Sequence, residues 1–382
     1  MWLLILLAFV AWVGHAFVWT TILNYVYARP YPKPVLRLWR HFTAVIILAF
    51  PGVLFLIEDR NVGERMSAST FLAGLYAVIC FGFSCDYFMI CVQRCLREPP
   101  ATLLSETTTT LDLWSELGAK AIGDGAGQLL AKLPLNGIYN VDFTELTLAM
   151  KLPPEWDGLT ILHLTDLHYH GTPSREWHER VMAEIAGRWP TNDLICLTGD
   201  YVDTDEHHAW IGPLLGRLQA MEGKFAILGN HDRNHDPERV RTELEQAGYT
   251  MLSNGWEEAT IRGVPCVLIG HEGPWFVPPP DLQAMPSEPF HLGLCHTPDN
   301  FYWGQRHGID LMLCGHVHGG QVRFPFISSI FVPSMYGRRF DMGVFERNGT
   351  VMVVGRGLSG KEPLRFRCNP QVIRITLRAS AS

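Results

Sequence analysis

The first 27 residues, Met1 to Tyr27, contain no Lys, Arg, Asp or Glu, and about 20 apolar residues suffice to carry a helix across the hydrocarbon core of a bilayer. Lipid offers the backbone no hydrogen-bond partners, so a segment of this kind that enters a bilayer must be helical. A cleaved signal peptide is the competing reading, but the basic n-region is missing and no small-x-small cleavage site follows the run. The segment therefore reads as an anchor. Phe42 to Ile57 is a second apolar run; it is short and carries Pro51, which suits either a kinked span or a re-entrant hairpin. Met66 to Cys85 is a third, uncharged and of spanning length, closed by Asp86 at the interface. Residues 1–97 are thus expected to form a membrane region of about three helices.

Basic residues set the orientation of such a region, because short cytoplasmic loops collect Lys and Arg. Arg29, Lys33, Arg37 and Arg40 lie between the first two runs, whereas Arg60 and Arg65 are mixed with Glu58, Asp59 and Glu64 between the second and third. The bias places the first loop inside and, after three crossings, the remainder of the chain in the cytoplasm. Residues 98–139 turn to linker composition, with Pro99, Pro100 and the run Thr107 to Thr110. A helix is expected over Leu111 to Leu133. Its apolar residues Leu113, Trp114, Leu117, Ile122 and Leu129 suit either the membrane surface or packing against a soluble domain.

A hydrophobic content of 47% over 382 residues permits a sizeable core in the remaining chain. The formal charge of -7 argues against a nucleic-acid binder, which needs a basic face to displace counterions. Nine cysteines in a chain this long do not make a disulfide scaffold. Cys196, Cys266, Cys295 and Cys314 sit within strand-like runs, where a reduced thiol serves as a small apolar residue.

From Val141 onward apolar runs alternate with amphipathic stretches. Thr160 to Leu164, Leu194 to Leu197, Phe225 to Leu228, Cys266 to Ile269, Phe290 to Cys295 and Leu311 to Cys314 read as buried strands, with helices at Glu176 to Arg188 and Pro237 to Ala247. This alternation predicts an α/β domain with layered sheets over 140–378. A polar block follows the end of each of five strands: Asp166-Leu167-His168, Gly199-Asp200-Tyr201-Val202-Asp203, Gly229-Asn230-His231-Asp232, Cys295-His296, and Gly315-His316-Val317-His318.

Five such loops at one sheet edge would gather carboxylate, amide and imidazole. That mixture suits manganese, iron or zinc better than a hard-oxygen magnesium or calcium cage. Asp166, His168, Asp200, Asn230, His296, His316 and His318 exceed the demand of one tetrahedral site, which implies two divalent ions with open positions. The other histidines, His163, His170, His178, His207, His208, His235, His271, His291 and His307, read as surface or satisfied core residues.

The blocks, in this order, resemble the calcineurin-like metallophosphoesterases. Gly315-His316-Val317-His318-Gly319-Gly320-Gln321, Gly355-Arg356-Gly357-Leu358 and Pro363-Leu364-Arg365-Phe366 resemble their YkuE/YaeI-type branch, which often carries N-terminal membrane segments. The resemblance implies a four-layer α-β-β-α sandwich and a dinuclear centre. In it Asp166, His168 and His318 would hold one metal, Asn230, His296 and His316 the other, and Asp200 both. It also implies that His231 faces the leaving group and that Asp203 orients it, while Asp232 could equally serve a turn.

The expected activity is hydrolysis of a phosphoester or pyrophosphate at a membrane, a bacterial inner membrane by resemblance. Because some members of the superfamily cleave UDP-2,3-diacylglucosamine, a lipid-linked substrate of that type is the leading expectation. A phospholipid or broad-specificity phosphodiesterase and a catalytically inactive metal-bound scaffold are the alternatives. Arg338, Arg339 and Arg356 are candidate phosphate-binding residues, drawn from a set that also includes Arg323, Lys361, Arg365 and Arg367. Met335, Tyr336 and Phe340 could hold acyl chains or belong to the core.

Overall fold

Uncharged apolar stretches become three helices: α1 (Trp2–Tyr27), α2 (Lys33–Arg60) and α3 (Ala68–Cys95). At about 1.5 Å per residue each exceeds the roughly 30 Å hydrocarbon core, and each contains a segment long and apolar enough to cross a membrane: Ile5–Tyr27, Lys33–Gly52 and Phe71–Cys95. The computed structural model describes residues 2–60 and 68–380. The loop carrying Glu64 and Arg65 lies outside them. Pro51 falls inside α2, which continues through it as one helix rather than turning back as a hairpin.

The chain divides into two compact units, Met1–Glu98 with Phe324–Arg339, and Pro99–Arg323 with the chain from Phe340 onward. In the first unit the helices are joined by close approach and by sparse polar contacts, the usual devices where lipid removes the hydrophobic drive between helices. A Cβ on Gly14 would stand 1.9 Å from the Cys80 carbonyl oxygen, so only glycine lets α1 meet α3 there. His15 Nδ1 lies 2.6 Å from the Tyr76 hydroxyl and Nε2 lies 3.2 Å from the Ile46 carbonyl, with the ring stacked on Phe50 at 4.0 Å. One imidazole thus ties all three helices together. The segment 324–339 is stitched to the same helices. The Asn24 side chain donates to Ile330 O at 3.4 Å and accepts from Val332 N–H at 3.0 Å, and the Tyr87 hydroxyl donates to Ile327 O at 2.8 Å. This segment departs from the contiguous 140–378 domain expected from the sequence.

The second unit is built on two sheets. Its strands are β1 (Leu103–Asp112), β2 (Asn140–Met150), β3 (Thr160–Leu164), β4 (Asn192–Leu197), β5 (Ala220–Ala226), β6 (Thr250–Met251), β7 (Gly255–Ile261), β8 (Val264–His271), β9 (Phe290–Cys295), β10 (Leu311–Cys314), β11 (Gly343–Arg347), β12 (Thr350–Val354) and β13 (Gln371–Ala379). One sheet runs β1-β2-β13-β3-β4-β5-β6 and the other β11-β12-β10-β9-β8-β7. Strands β3, β4 and β5 are mutually parallel, as are β8, β9, β10 and β12. Successive side chains of a strand point to opposite faces, and here both faces are buried. Ile161, Leu194 and Cys196 pack with Leu292, Leu294 and Leu313 between the sheets, while Leu162, Leu164, Ile195 and Leu197 pack with Trp177, Val181 and Leu244 from α4 (Arg175–Arg188) and α5 (Pro237–Gln246).

Residues 98–139 do not form one helix. Threonine-rich β1 pairs antiparallel with β2 as an edge strand, and the chain beyond it makes short turns of helix at Leu113–Leu117, Gly118–Ala121, Gln128–Ala131 and Gly137–Tyr139. Gly118, Gly123 and Gly127 take positive φ; Gly118 ends the first turn, Gly123 follows the second and Gly127 precedes the third, so helix does not run through them. Leu113 and Ile122 enter the core of this unit, whereas Leu129 is exposed. A Cβ on Gly125 would stand 1.8 Å from His170 O, so the segment lies hard against the loop that follows β3.

Candidate metal centre

Parallel strands deliver their loops to one edge, and five of them place the polar blocks there. Asp166 and His168 follow β3, Asp200 follows β4, Asn230 and His231 follow β5, His296 follows β9, and His316 and His318 follow β10. The chain must turn sharply to aim these side chains inward. Asp166 (φ 53°), His168 (46°), Asp200 (58°), His316 (68°) and His318 (51°) all adopt left-handed backbone, a region that non-glycine residues occupy at a cost and that clusters at functional sites.

Backbone hydrogen bonds fix this geometry. Leu167 and His168 N–H donate to Asp200 O at 2.8 and 3.0 Å, and Ser359 N–H donates to Asp166 O at 2.8 Å. The buried Asp232 carboxylate accepts from the N–H groups of Gly229 (2.8 Å), Asp200 (2.9 Å), Tyr201 (2.8 Å) and Val202 (3.3 Å), stapling the β4 and β5 loops together. Asp232 is therefore a structural carboxylate. Gly229 is demanded by close approach: a Cβ there would stand 2.2 Å from Asp200 Oδ1 and 2.6 Å from His296 Cε1.

Three groups of potential ligand atoms result: Asp166, His168, Asp200 and His318; Asp200, His296 and His316; and His168, Asp203 and His231. Asp200 belongs to the first two. Its Oδ2 is buried without a hydrogen-bond partner yet lies 3.6 Å from His168 Nε2 and 3.4 Å from His296 Nε2. Asn230 Oδ1 lies 3.0 Å from His296 Nε2, and Asp166 Oδ1 lies 3.6 Å from His318 Nε2. Buried donor atoms converging at these separations, with the far ring nitrogens held elsewhere, fit bound cations. His296 Nδ1 faces Thr198 O at 2.6 Å and His168 Nδ1 faces Asp203 Oδ2 at 2.9 Å, which leaves Nε2 of each directed inward. The site attracts positive charge: burial lowers the His296 pKa, but the carboxylates of Asp200 and Asp166 outweigh it and hold the imidazole up at about 9.

Asp203 also bonds His231 Nδ1 through its second oxygen, so one carboxylate orients both His168 and His231, and the three make up the third group. His231 N–H donates to Asp200 Oδ1 at 2.7 Å, and its side chain keeps 21% exposure. Burial pushes its pKa down, but Asp203 and Asp200 raise it to about 9.

Two neighbours were not singled out for this role from sequence. Fully buried Arg365 donates to His318 O at 3.0 Å and Arg356 O at 2.7 Å, fixing the β10 loop from behind. The Trp275 ring packs at 4.6 Å from His316 and 5.5 Å from His296, walling that side of the centre. Neither is recognisable locally, because an arginine in a C-terminal tail reads as solvated and a tryptophan in a proline-rich loop reads as core. The structure does not bring the expected phosphate-binding arginines into the centre as a group. Arg356 is paired with Asp142 at 2.8 Å, while Arg338 and Arg339 belong to the membrane unit. Several of the remaining histidines are engaged in the core, as in His163 with Thr198 at 2.9 Å and His291 with Pro286 O at 2.7 Å.

Residues 159–320 match the family model described as calcineurin-like phosphoesterase. The chain is 31% identical to the metallophosphoesterase YkuE of Bacillus subtilis over 273 residues, covering 69% of this chain and 93% of the relative. It is 33% identical to the phosphodiesterase YaeI of Escherichia coli, covering 57% of this chain and 81% of the relative. Similarity extends to the UDP-2,3-diacylglucosamine pyrophosphatase LpxG of Chlamydia trachomatis at 25% identity, over 56% of this chain and 82% of the relative. With YkuE matched over nearly its whole length, and with candidate metal ligands converging at the strand ends, the chain belongs to the calcineurin-like metallophosphoesterases and is a metal-dependent phosphohydrolase.

Proposed function

We propose that the chain is a membrane-anchored phosphodiesterase or pyrophosphohydrolase that uses two divalent ions, manganese foremost with iron or zinc as alternatives, on a lipid-linked phosphate such as UDP-2,3-diacylglucosamine. The observation that carries this reading is the sharing of Asp200 between two ligand clusters beside the His231–Asp203 pair. Asp166, His168 and His318 would hold one ion, Asn230, His296 and His316 the other, with Asp200 common to both. The ions would supply Lewis-acid charge for the attacking and leaving oxygens and a hydroxide at neutral pH.

The chain's own groups do the rest. Asp203 fixes the His231 ring through Nδ1, which directs Nε2–H away from the carboxylate, and the protonated imidazole delivers that proton to the departing oxygen. Asp232 and Arg365 keep the loops in register. The lipid preference is supported by the three helices of spanning length and by the likeness to LpxG. The basic residues Arg29, Lys33, Arg37 and Arg40 between α1 and α2, together with the continuity of α2 through Pro51, support a catalytic unit on the cytoplasmic side.

A second reading, a phosphodiesterase of broad specificity, is favoured by the greater identity to YaeI than to LpxG. Purified full-length protein in detergent, loaded with Mn, separates them when offered UDP-2,3-diacylglucosamine, diacylglycerophospholipids and cyclic nucleotides. Preferential, chelator-sensitive cleavage of the first supports the lipid reading, comparable rates on all three support the second, and no turnover of any with metal fully loaded would overturn both.

A further inference from the structure

The membrane unit contains an apolar groove of about 580 Å³, within the range of pockets that hold one small ligand. Val13 and Phe17 of α1, Phe88 and Val92 of α3, Leu96 just past its end, and Ile327 of the segment 324–339 line it. Phe88 and Val92, four positions apart, form a stripe on one face of that helix. Phe326, at the rim, is 96% exposed, as a side chain facing hydrocarbon rather than water can be.

Beside this groove, against residues that line it, lies a cation with no counter-charge among the described residues. Arg338 is only 6% exposed, and its guanidinium touches three lining residues: it donates to Ile327 O, lies 3.2 Å from Cys91 Sγ and sits 3.4 Å over the Tyr87 ring. Its remaining recorded donation is to Tyr87 O at 2.8 Å. Among the described residues no carboxylate pairs with it. A buried cation held only by neutral carbonyls, a thiol and a ring face calls for an anion, and guanidinium matches phosphate in geometry and charge.

From these two features together we infer that the groove is a site for one anionic glycerophospholipid, with an acyl chain along the α3 stripe and its phosphate neutralising Arg338. A bound lipid would hold the segment 324–339 against α1 and α3. The site stands apart from the catalytic reading, because it is tested by lipid retention and not by turnover.

The full chain is reconstituted in vesicles of equal parts phosphatidylcholine and phosphatidylglycerol, extracted in mild detergent and weighed by native mass spectrometry. The expected result is one retained phosphatidylglycerol per chain, lost in Val92→Trp, whose indole fills the groove. Arg338→Lys keeps the preference for phosphatidylglycerol, whereas Arg338→Gln binds both lipids alike. Equal retention of the two lipids by the unsubstituted protein, or retention unchanged by Val92→Trp, overturns the inference. Should these variants fail to elute as the parent protein does on size exclusion, a phosphatidylglycerol bearing a photoreactive acyl chain decides the matter on the unsubstituted protein. Labelling of residues 88–96 and 326–327 supports the site, and labelling confined to other residues overturns it.

Discussion

The membrane unit and the metal centre both bury polar side chains, and they treat them in opposite ways. His15 uses both ring nitrogens on fixed partners within the helices, and Asn24 serves as donor and acceptor to one passing strand of chain. At the metal centre the outer ring nitrogens of His168 and His296 are likewise held, but their Nε2 atoms face Asp200 Oδ2 across 3.6 and 3.4 Å, too far for a good hydrogen bond. The polarity of His15 and Asn24 is consumed by structure. At the centre Asp200 Oδ2 is left without a hydrogen-bond partner among converging ring nitrogens, which is what a cation needs.

The contrast breaks most visibly if Asp200 can be dispensed with. Asp200→Ala should abolish phosphodiester hydrolysis and lower bound metal while retaining the fold, read by metal analysis, circular dichroism and a nitrophenyl phosphodiester assay; full turnover would mean that the two clusters do not act as one centre. His231→Ala should cost about 10²- to 10⁴-fold in kcat, the usual worth of a positioned acid, with metal content intact. Asp203→Asn should cost roughly 10–100-fold, since it loosens both His168 and His231. Because the His231 pKa is raised, the proton it donates is present at neutral pH and lost as pH rises through about 9. Turnover should therefore fall on the alkaline side, and that limb should vanish in His231→Gln. The smallest catalytic effect belongs to the other region: Gly14→Val should weaken the helix unit, seen as earlier thermal aggregation in detergent, and leave kcat on a water-soluble ester within about twofold, since the added side chain would meet Cys80 and Ser84 of α3.

Much of this was legible in the chain. Strands β3, β4, β9 and β10 are written as short apolar runs because both of their faces are buried, and most of the candidate metal ligands announce themselves by following those runs. Strand β1 was not legible, since its threonines lie on an exposed edge and carry no alternation of apolar and polar residues. The region 111–133 misled by its helical spacing of Leu113, Leu117 and Ile122, while Gly118, Gly123 and Gly127 decide the backbone through positive φ. Nor could local pattern show that residues 324–339, a short excursion after the β10 loop, cluster with helices more than 200 residues earlier in the chain. Arg338 illustrates the cost of that blindness: it reads as a phosphate ligand for the catalytic unit and lies among Tyr87, Cys91 and Ile327 instead.

The left-handed backbone at Asp166, His168, Asp200, His316 and His318 has a consequence for how this protein can change. Each such residue carries strain of about 1–3 kcal/mol, and glycine at the same φ would carry almost none. Selection for thermal stability alone would therefore push these five positions toward glycine and erase the candidate centre one side chain at a time. A stabilised descendant that keeps all five would have to gain its stability elsewhere, in the sheets or the helices, and these positions would mark which residues stability was never allowed to choose.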